Sequence, residues 1–306
     1  MFPRPEPVSP LFSLAELIAL RGAARRLELG AQRLARASQA GGYRSIYRGR
    51  GLEFDEVRPY QPGDEARDMD WRVTARRGRP HTKLYREERE RPVLLLADLG
   101  PTMLFGSRHL KSTRAAHCVA LLAWAAVQGG DRVGGVVTAA AGSGICPPRP
   151  RTDAVLALLH RLVEAQPRAP QPLVPGLLDQ GLARLEQISR PGSLLPIVSD
   201  FQLLDDSAER RLGRLSRHND LLMIQVYDPL EAEPPPAGRY RLGIPGQLLE
   251  LDSRSAALAW RQQFADRQEQ LAQIARRLRC PLIPLSTDET VARVLARDMG
   301  RYGSAA

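Results

Sequence analysis

The chain has 306 residues, enough for about two domains, and 44 Lys and Arg against 34 Asp and Glu give it a net charge of +10. A hydrophobic share of 43% with 25% charged residues excludes a disordered chain, and no uncharged apolar stretch is long enough to span a bilayer. Cys118, Cys146 and Cys280 are too few and too widely spaced for a disulfide framework or a zinc pattern.

The charge excess is almost all Arg, with Lys83 and Lys111 the only lysines. No dense basic block with interleaved aromatics occurs, so the arginines read as solvated faces and nucleic acid is not the expected partner. The first residues, Met1-Phe2-Pro3-Arg4-Pro5-Glu6, lack a signal-peptide apolar region. The expected location is cytoplasmic, without membrane insertion.

Residues 1–40 read as an N-terminal amphipathic helix. Over 11–36, Leu20, Ala24, Leu27, Ala31 and Leu34 recur at helical spacing, and most of the arginines fall on other faces. Residues 41–92 are broken by Gly and Pro into short segments and read as a small β-rich module. Trp71-Arg72-Val73-Thr74-Ala75 and His81-Thr82-Lys83-Leu84-Tyr85 alternate like half-exposed strands. Between them and the preceding segment lies Pro62-Gly63-Asp64-Glu65-Ala66-Arg67-Asp68-Met69-Asp70-Trp71. Asp64, Arg67, Asp70 and Trp71 are expected to form a structural network in which arginine forks pair with carboxylates. The competing reading of the same acidic cluster is a metal-dependent hydrolase.

Residues 93–306 read as an α/β domain. Val93-Leu94-Leu95-Leu96-Ala97 is an unbroken apolar run that stops at Asp98, a Gly-Pro turn and Thr102. Such a run reads as a strand buried on both faces, as in a parallel sheet, where ligand sites lie beyond the carboxyl ends of the strands. Asp98 could alternatively start a turn or cap a helix. Three further apolar runs end at Asp200, Asp228 and Asp288, which suggests carboxylates gathered along one sheet edge and in need of a compensating charge. Helical patterns over 108–128, 152–165, 176–190, 205–218 and 253–279 alternate with these strands, and Arg239 to Asp252 reads as a hairpin. The expected fold is α/β, a doubly wound and mainly parallel sheet, with the β-rich module and the N-terminal helix before it.

Gly49-Arg50-Gly51-Leu52-Glu53-Phe54, Arg58-Pro59-Tyr60-Gln61-Pro62-Gly63-Asp64, Asp70-Trp71-Arg72-Val73-Thr74-Ala75-Arg76 and Glu87-Glu88-Arg89 together resemble the bacterial domain of unknown function 58 family. Phe105-Gly106, Lys111, Ser199-Asp200-Phe201 and Asp228-Pro229-Leu230-Glu231 extend the resemblance over roughly residues 40 to 240. It implies a von Willebrand factor A-like domain and a MoxR-type AAA+ ATPase as partner in assembly or maturation of other proteins. It also implies a metal-ion-dependent adhesion site, with Mg²⁺ on Asp98, Thr102 and Asp200. The same residues with Asp228 would form the partner-binding face. Gly100 supplies no hydroxyl to that site, and Val174 to Leu178, where the second loop should fall, supply none either. No nucleophile elbow or phosphate-cradling loop is present, so the expected function is non-catalytic. The runner-up is a nucleic-acid-binding protein or a metal-dependent hydrolase.

Overall fold

A computed structural model describes residues 11–27, 52–60, 69–87, 92–244 and 247–304. The chain divides into two compact units, residues 41–90 and residues 1–40 with 91–306.

The described residues of the smaller unit form a hairpin with a helix between its strands. β1 (Leu52–Pro59) and β2 (His81–Glu87) pair antiparallel, with a bulge between Phe54 and Glu56. The segment expected as a strand at 71–75 is instead helix α3 (Trp71–Arg77). Its caps outweigh the alternating pattern. Asp70 Oδ1 accepts the free backbone N–H groups of Arg72 and Val73, both at 3.0 Å, and Gly78 ends the helix in a left-handed conformation at φ 66°. Of the expected network, Asp64 and Arg67 lie outside the described residues. Trp71 is 66% exposed, and Asp70 serves as the helix cap. Asp70→Ala should destabilise this unit by about 1 kcal/mol, because two backbone donors lose their acceptor. Faster hydrogen exchange at the Arg72 and Val73 amides would register it, and unchanged exchange would contradict the capping role.

The larger unit begins with α1 (Leu14–Ala19) and α2 (Arg21–Ala24), two short helices where the periodicity predicts one. Ser13 and Glu16 form a capping box at the start of α1. Leu17, Ala24 and Leu27 are buried in the core, as the helical spacing of Ala24 and Leu27 predicts, while Ala31 and Leu34 fall outside the described residues. Trp124 Nε1 donates to Leu17 O at 3.1 Å, and the Gln166 carboxamide bonds both the N–H and the C=O of Phe12. The N-terminal segment is therefore docked on the α/β core, with its arginines left to the outside.

The sheet has six strands, β3 (Pro92–Asp98), β4 (Arg132–Ala139), β5 (Gly142–Arg149), β6 (Leu194–Ser199), β7 (Asp220–Tyr227) and β10 (Leu282–Ser286). Their spatial order is β10-β7-β6-β3-β4-β5, all parallel except the β4–β5 edge pair. β8 (Arg239–Ile244) and β9 (Gln247–Asp252) make a separate hairpin where the sequence pattern places one.

Helices cover both faces. Val93, Leu95 and Ala97 of β3 pack toward α4 (Lys111–Gln128), α5 (Thr152–Ala165) and α10 (Val291–Ser304), together with α1 and α2. Leu94 and Leu96 pack the other way, toward α6 (Leu177–Ile188), α7 (Asp206–Leu215) and α9 (Ser253–Leu278). Alternate residues of one strand thus enter two different cores, which is why the run is apolar throughout rather than every second residue. The architecture is α/β with a mainly parallel sheet between helical layers.

Candidate functional site

After β3 the chain moves to β4 on one side, and it later returns as β6 on the other side of β3. The strand order therefore reverses between β3 and β6, and loops leaving the carboxyl ends of these two strands part to opposite faces. Asp98 and Asp200 sit at that parting.

Asp98 is only 6% exposed. Its Oδ1 accepts from Gly100 N at 2.9 Å and Thr138 Oγ1 at 3.4 Å, and its Oδ2 accepts from Ser199 Oγ at 2.6 Å. Burial, reinforced by the negative charge of Asp200, pushes the Asp98 carboxyl up to about 6, and the three hydrogen bonds only moderate the rise.

Asp200 faces a cation supplied by the protein. Lys111, the first residue of α4, is wholly buried, and its Nζ donates to Asp200 Oδ2 at 2.7 Å and to Glu231 Oε1 at 2.9 Å. Burial alone would lower the ammonium pKa. Asp200 and Glu231 more than reverse this, and the net shift is upward. Glu231 belongs to α8 (Pro229–Ala232), where its Oε2 accepts from Asp228 N at 2.8 Å in a capping box. Gln202 binds both carboxylates, through its N–H to Asp200 and its side chain to Glu231.

Asp228 is fully buried and ties three segments together. Its Oδ2 accepts from Ser107 N at 2.8 Å, Ser107 Oγ at 3.1 Å and Thr287 Oγ1 at 2.6 Å, and its Oδ1 accepts from Leu230 N at 3.0 Å. At the end of β10 it is Thr287, not Asp288, that enters the cluster. Asp288 is exposed, and its charge acts on His109 and Arg114.

Of the expected metal ligands, Asp98 and Asp200 come together. Thr102 lies on the short 3₁₀ turn Pro101–Met103, half-buried, and no hydrogen bond of its hydroxyl joins it to the cluster. The donor set does not fit Mg²⁺. Asp200 Oδ2 is taken by the Lys111 ammonium, and both Asp98 oxygens accept hydrogen bonds. A Cβ on Gly100 would come within 2.8 Å of Leu177 Cδ2, so the buried side chain that opens α6 takes the space where a hydroxyl ligand would stand. Among the described residues no three His, Cys, Asp or Glu side chains are arranged to hold a metal ion.

Beside the carboxylates a half-open cleft of about 200 Å³ runs between the end of β7 and α9. Trp260, Phe264 and Tyr227 wall it, with Arg267 and Gln225 among its lining. Trp260 is fixed by a 2.9 Å bond from Nε1 to Leu230 O, and the Tyr227 and Phe264 rings lie 5.4 Å apart. Gln225 is 2% exposed, and its Oε1 has no partner among the described residues. An unsatisfied buried amide lowers stability, so its position at a cleft marks a place where a ligand group could complete it.

Reasoning from sequence missed Ser107, Thr138, Gln225 and Thr287 as members of this region. Lys111, Ser199 and Glu231 stand in the motifs that carry the family resemblance, without a role assigned to them there.

Comparison with known proteins gives few functional names. An uncharacterized protein of Mycobacterium tuberculosis and one of Mycobacterium bovis are each 31% identical over 220 residues, covering 72% of this chain and 68% of theirs. The conserved hypothetical protein BatB of Bacteroides thetaiotaomicron is similar in structure, with a TM-score of 0.46, 14% identity and coverage of 70% of this chain and 100% of that one. An aerotolerance-related membrane protein of Bacteroides fragilis gives 0.43 at 15% identity, over 69% and 99% of the two chains. An uncharacterized membrane spanning protein of Vibrio fischeri gives 0.24 at 16%, over 70% and 96%. Likenesses of that size fix neither the finer fold type nor a location. Two of these proteins are nevertheless named as membrane proteins, and the cytoplasmic location expected from the sequence is withdrawn on that finding. No helix among the described residues is long and apolar enough to cross a membrane. The model of the family described as "Protein of unknown function DUF58" matches residues 56–273, most of the sheet and its carboxylate edge included, and the chain belongs to that family.

Proposed function

We propose that the chain is a non-catalytic protein-interaction module with a von Willebrand factor A-like sheet, acting with a MoxR-type AAA+ ATPase in assembly or maturation of other proteins. One observation carries the reading: the carboxylates at the strand ends are satisfied by donors of the protein itself. Asp98, Asp200 and Asp228 all accept hydrogen bonds from protein donors, and among the described residues no nucleophile–base pair stands open beside them. Such an edge holds loops in place rather than transforming a substrate.

In this reading Asp98, Asp200 and Asp228 are positioning residues. They set the loops that end β3, β6 and β7, and the partner touches what those loops present. Phe105, 40% exposed on the loop that leads into Lys111, and the half-buried Thr102 on the preceding turn are the first contacts to test. Retention of a MoxR-type ATPase by immobilised protein should fall at least tenfold in Phe105→Ala, about 1.4 kcal/mol of contact, while the variant stays folded by circular dichroism. Full retention by both Phe105→Ala and Thr102→Ala would remove this edge from the interface.

A further inference from the structure

We propose that the Lys111 ammonium is the resident cation of the carboxylate crevice, so that the crevice keeps its shape without a divalent ion. Position, donor accounting and the space beside Asp98 bear on it. The first is position. Lys111 Nζ bridges Asp200 and Glu231, which come from loops after two different strands, at 2.7 and 2.9 Å. Bridging carboxylates from separate loops is the task a metal ion would perform there. The second is donor accounting. An ammonium has three N–H donors; two are used by the carboxylates, and the Phe105 ring lies 5.8 Å from Nζ. The third is space. A Cβ on Gly100, where a hydroxyl ligand would be needed, would come within 2.8 Å of Leu177 Cδ2 and 3.0 Å of Asp98 Oδ1.

The placement of Lys111 is built into the loop before it. Lys111 N donates to Phe105 O at 2.8 Å, and Ser107 is held by Asp228, so the turn from Phe105 to Leu110 delivers the side chain inward at the start of α4. Charge then explains why it stays. Asp98, Asp200, Asp228 and Glu231 crowd one edge, and a buried carboxylate with no counter-charge is strongly unfavourable. One ammonium satisfies two of them at once. The inference is independent of the partner reading above, since it concerns only what holds the crevice together.

The test uses melting temperatures of the full chain in chelator and in millimolar Mg²⁺ or Mn²⁺. The wild type should melt at the same temperature in all three. Lys111→Ala, which removes the ammonium and opens its space, should melt roughly 10 °C lower in chelator and recover part of the loss in Mn²⁺. The neutral set Lys111→Met, Asp200→Asn and Glu231→Gln should fold near the wild-type temperature and ignore the ion, which keeps the test decisive where Lys111→Ala fails to fold. Wild-type stabilisation by a divalent ion that disappears in Asp200→Asn would overturn the proposal. So would a Lys111→Ala protein that is as stable as the wild type or unmoved by Mn²⁺, or a neutral set that melts far below it.

Discussion

Asp228→Ala is expected to lower the unfolding free energy by about 3–5 kcal/mol, one of the largest effects available from a single polar side chain here. The carboxylate accepts four hydrogen bonds, from Ser107 N, Ser107 Oγ, Leu230 N and Thr287 Oγ1, and is wholly buried. Alanine would strand those donors where water has little access, and each buried unpaired donor costs about 1–3 kcal/mol. The loss would also spread. Ser107 fixes the loop that aims Lys111, Leu230 begins α8, and Thr287 follows β10, so three segments lose their common anchor. Asp228→Asn should be milder, by roughly half. Its amide oxygen can take the place of Oδ2 and keep three donors, leaving only Leu230 N facing an N–H₂ group. Urea unfolding at pH 7 measures both. A loss under about 1 kcal/mol for alanine would mean that water enters and replaces the carboxylate.

The sheet was readable because its strands carry the mark of two-sided burial. Val93 to Ala97, Leu194 to Val198 and Leu221 to Val226 are apolar at nearly every position, and the helices between them have regular spacing. At 71–77 the alternation of Trp71, Val73 and Ala75 resembled a strand, yet Asp70 and Gly78 stood at the two ends as cap signals and prevailed. Apolar alternation over five residues is weaker than two backbone donors satisfied at a helix start.

For the site, gathering of carboxylates at one edge was legible from strand ends; what compensates them was not. Lys111 lies 89 residues from Asp200 and 120 from Glu231, and no local pattern encodes that pairing. The resemblance implied Mg²⁺ on Asp98, Thr102 and Asp200 with two of its hydroxyl ligands missing, and gave no sign that the Lys111 ammonium lies 2.7 Å from Asp200. Thr287 and Asp288 show the other limit. Successive residues at a strand end point to opposite sides, so one position of offset decides which side chain reaches Asp228.

Asp98→Asn is expected to stabilise the protein at pH 8 by about 2–3 kcal/mol and to leave it nearly unchanged at pH 4. The folded-state carboxyl titrates at about 6, against 3.8 when it is free, because it is buried and lies near Asp200. Below 3.8 both states carry the proton and the group adds no pH dependence. Between 3.8 and 6 the folded protein holds the proton more tightly, so stability falls as pH rises. Above 6 the penalty is fully present, roughly 3 kcal/mol for a shift of this size. Asparagine removes the charge and keeps an oxygen for Gly100 N. Its N–H₂ group would face Ser199 Oγ, which can turn to accept, and it would place a donor rather than a second charge near Asp200. Thermal unfolding of both proteins from pH 4 to pH 8 should give curves that diverge upward from pH 4 and run parallel above about 6.5. Parallel curves throughout would show that Asp98 is not strained by its surroundings. Divergence would mean that the chain retains an ionised carboxylate at the switch point against its own stability. The carboxylate would then hold Gly100, Thr138 and Ser199 in place at a cost that a neutral amide avoids, which is the mark of a site kept for something other than maximal stability.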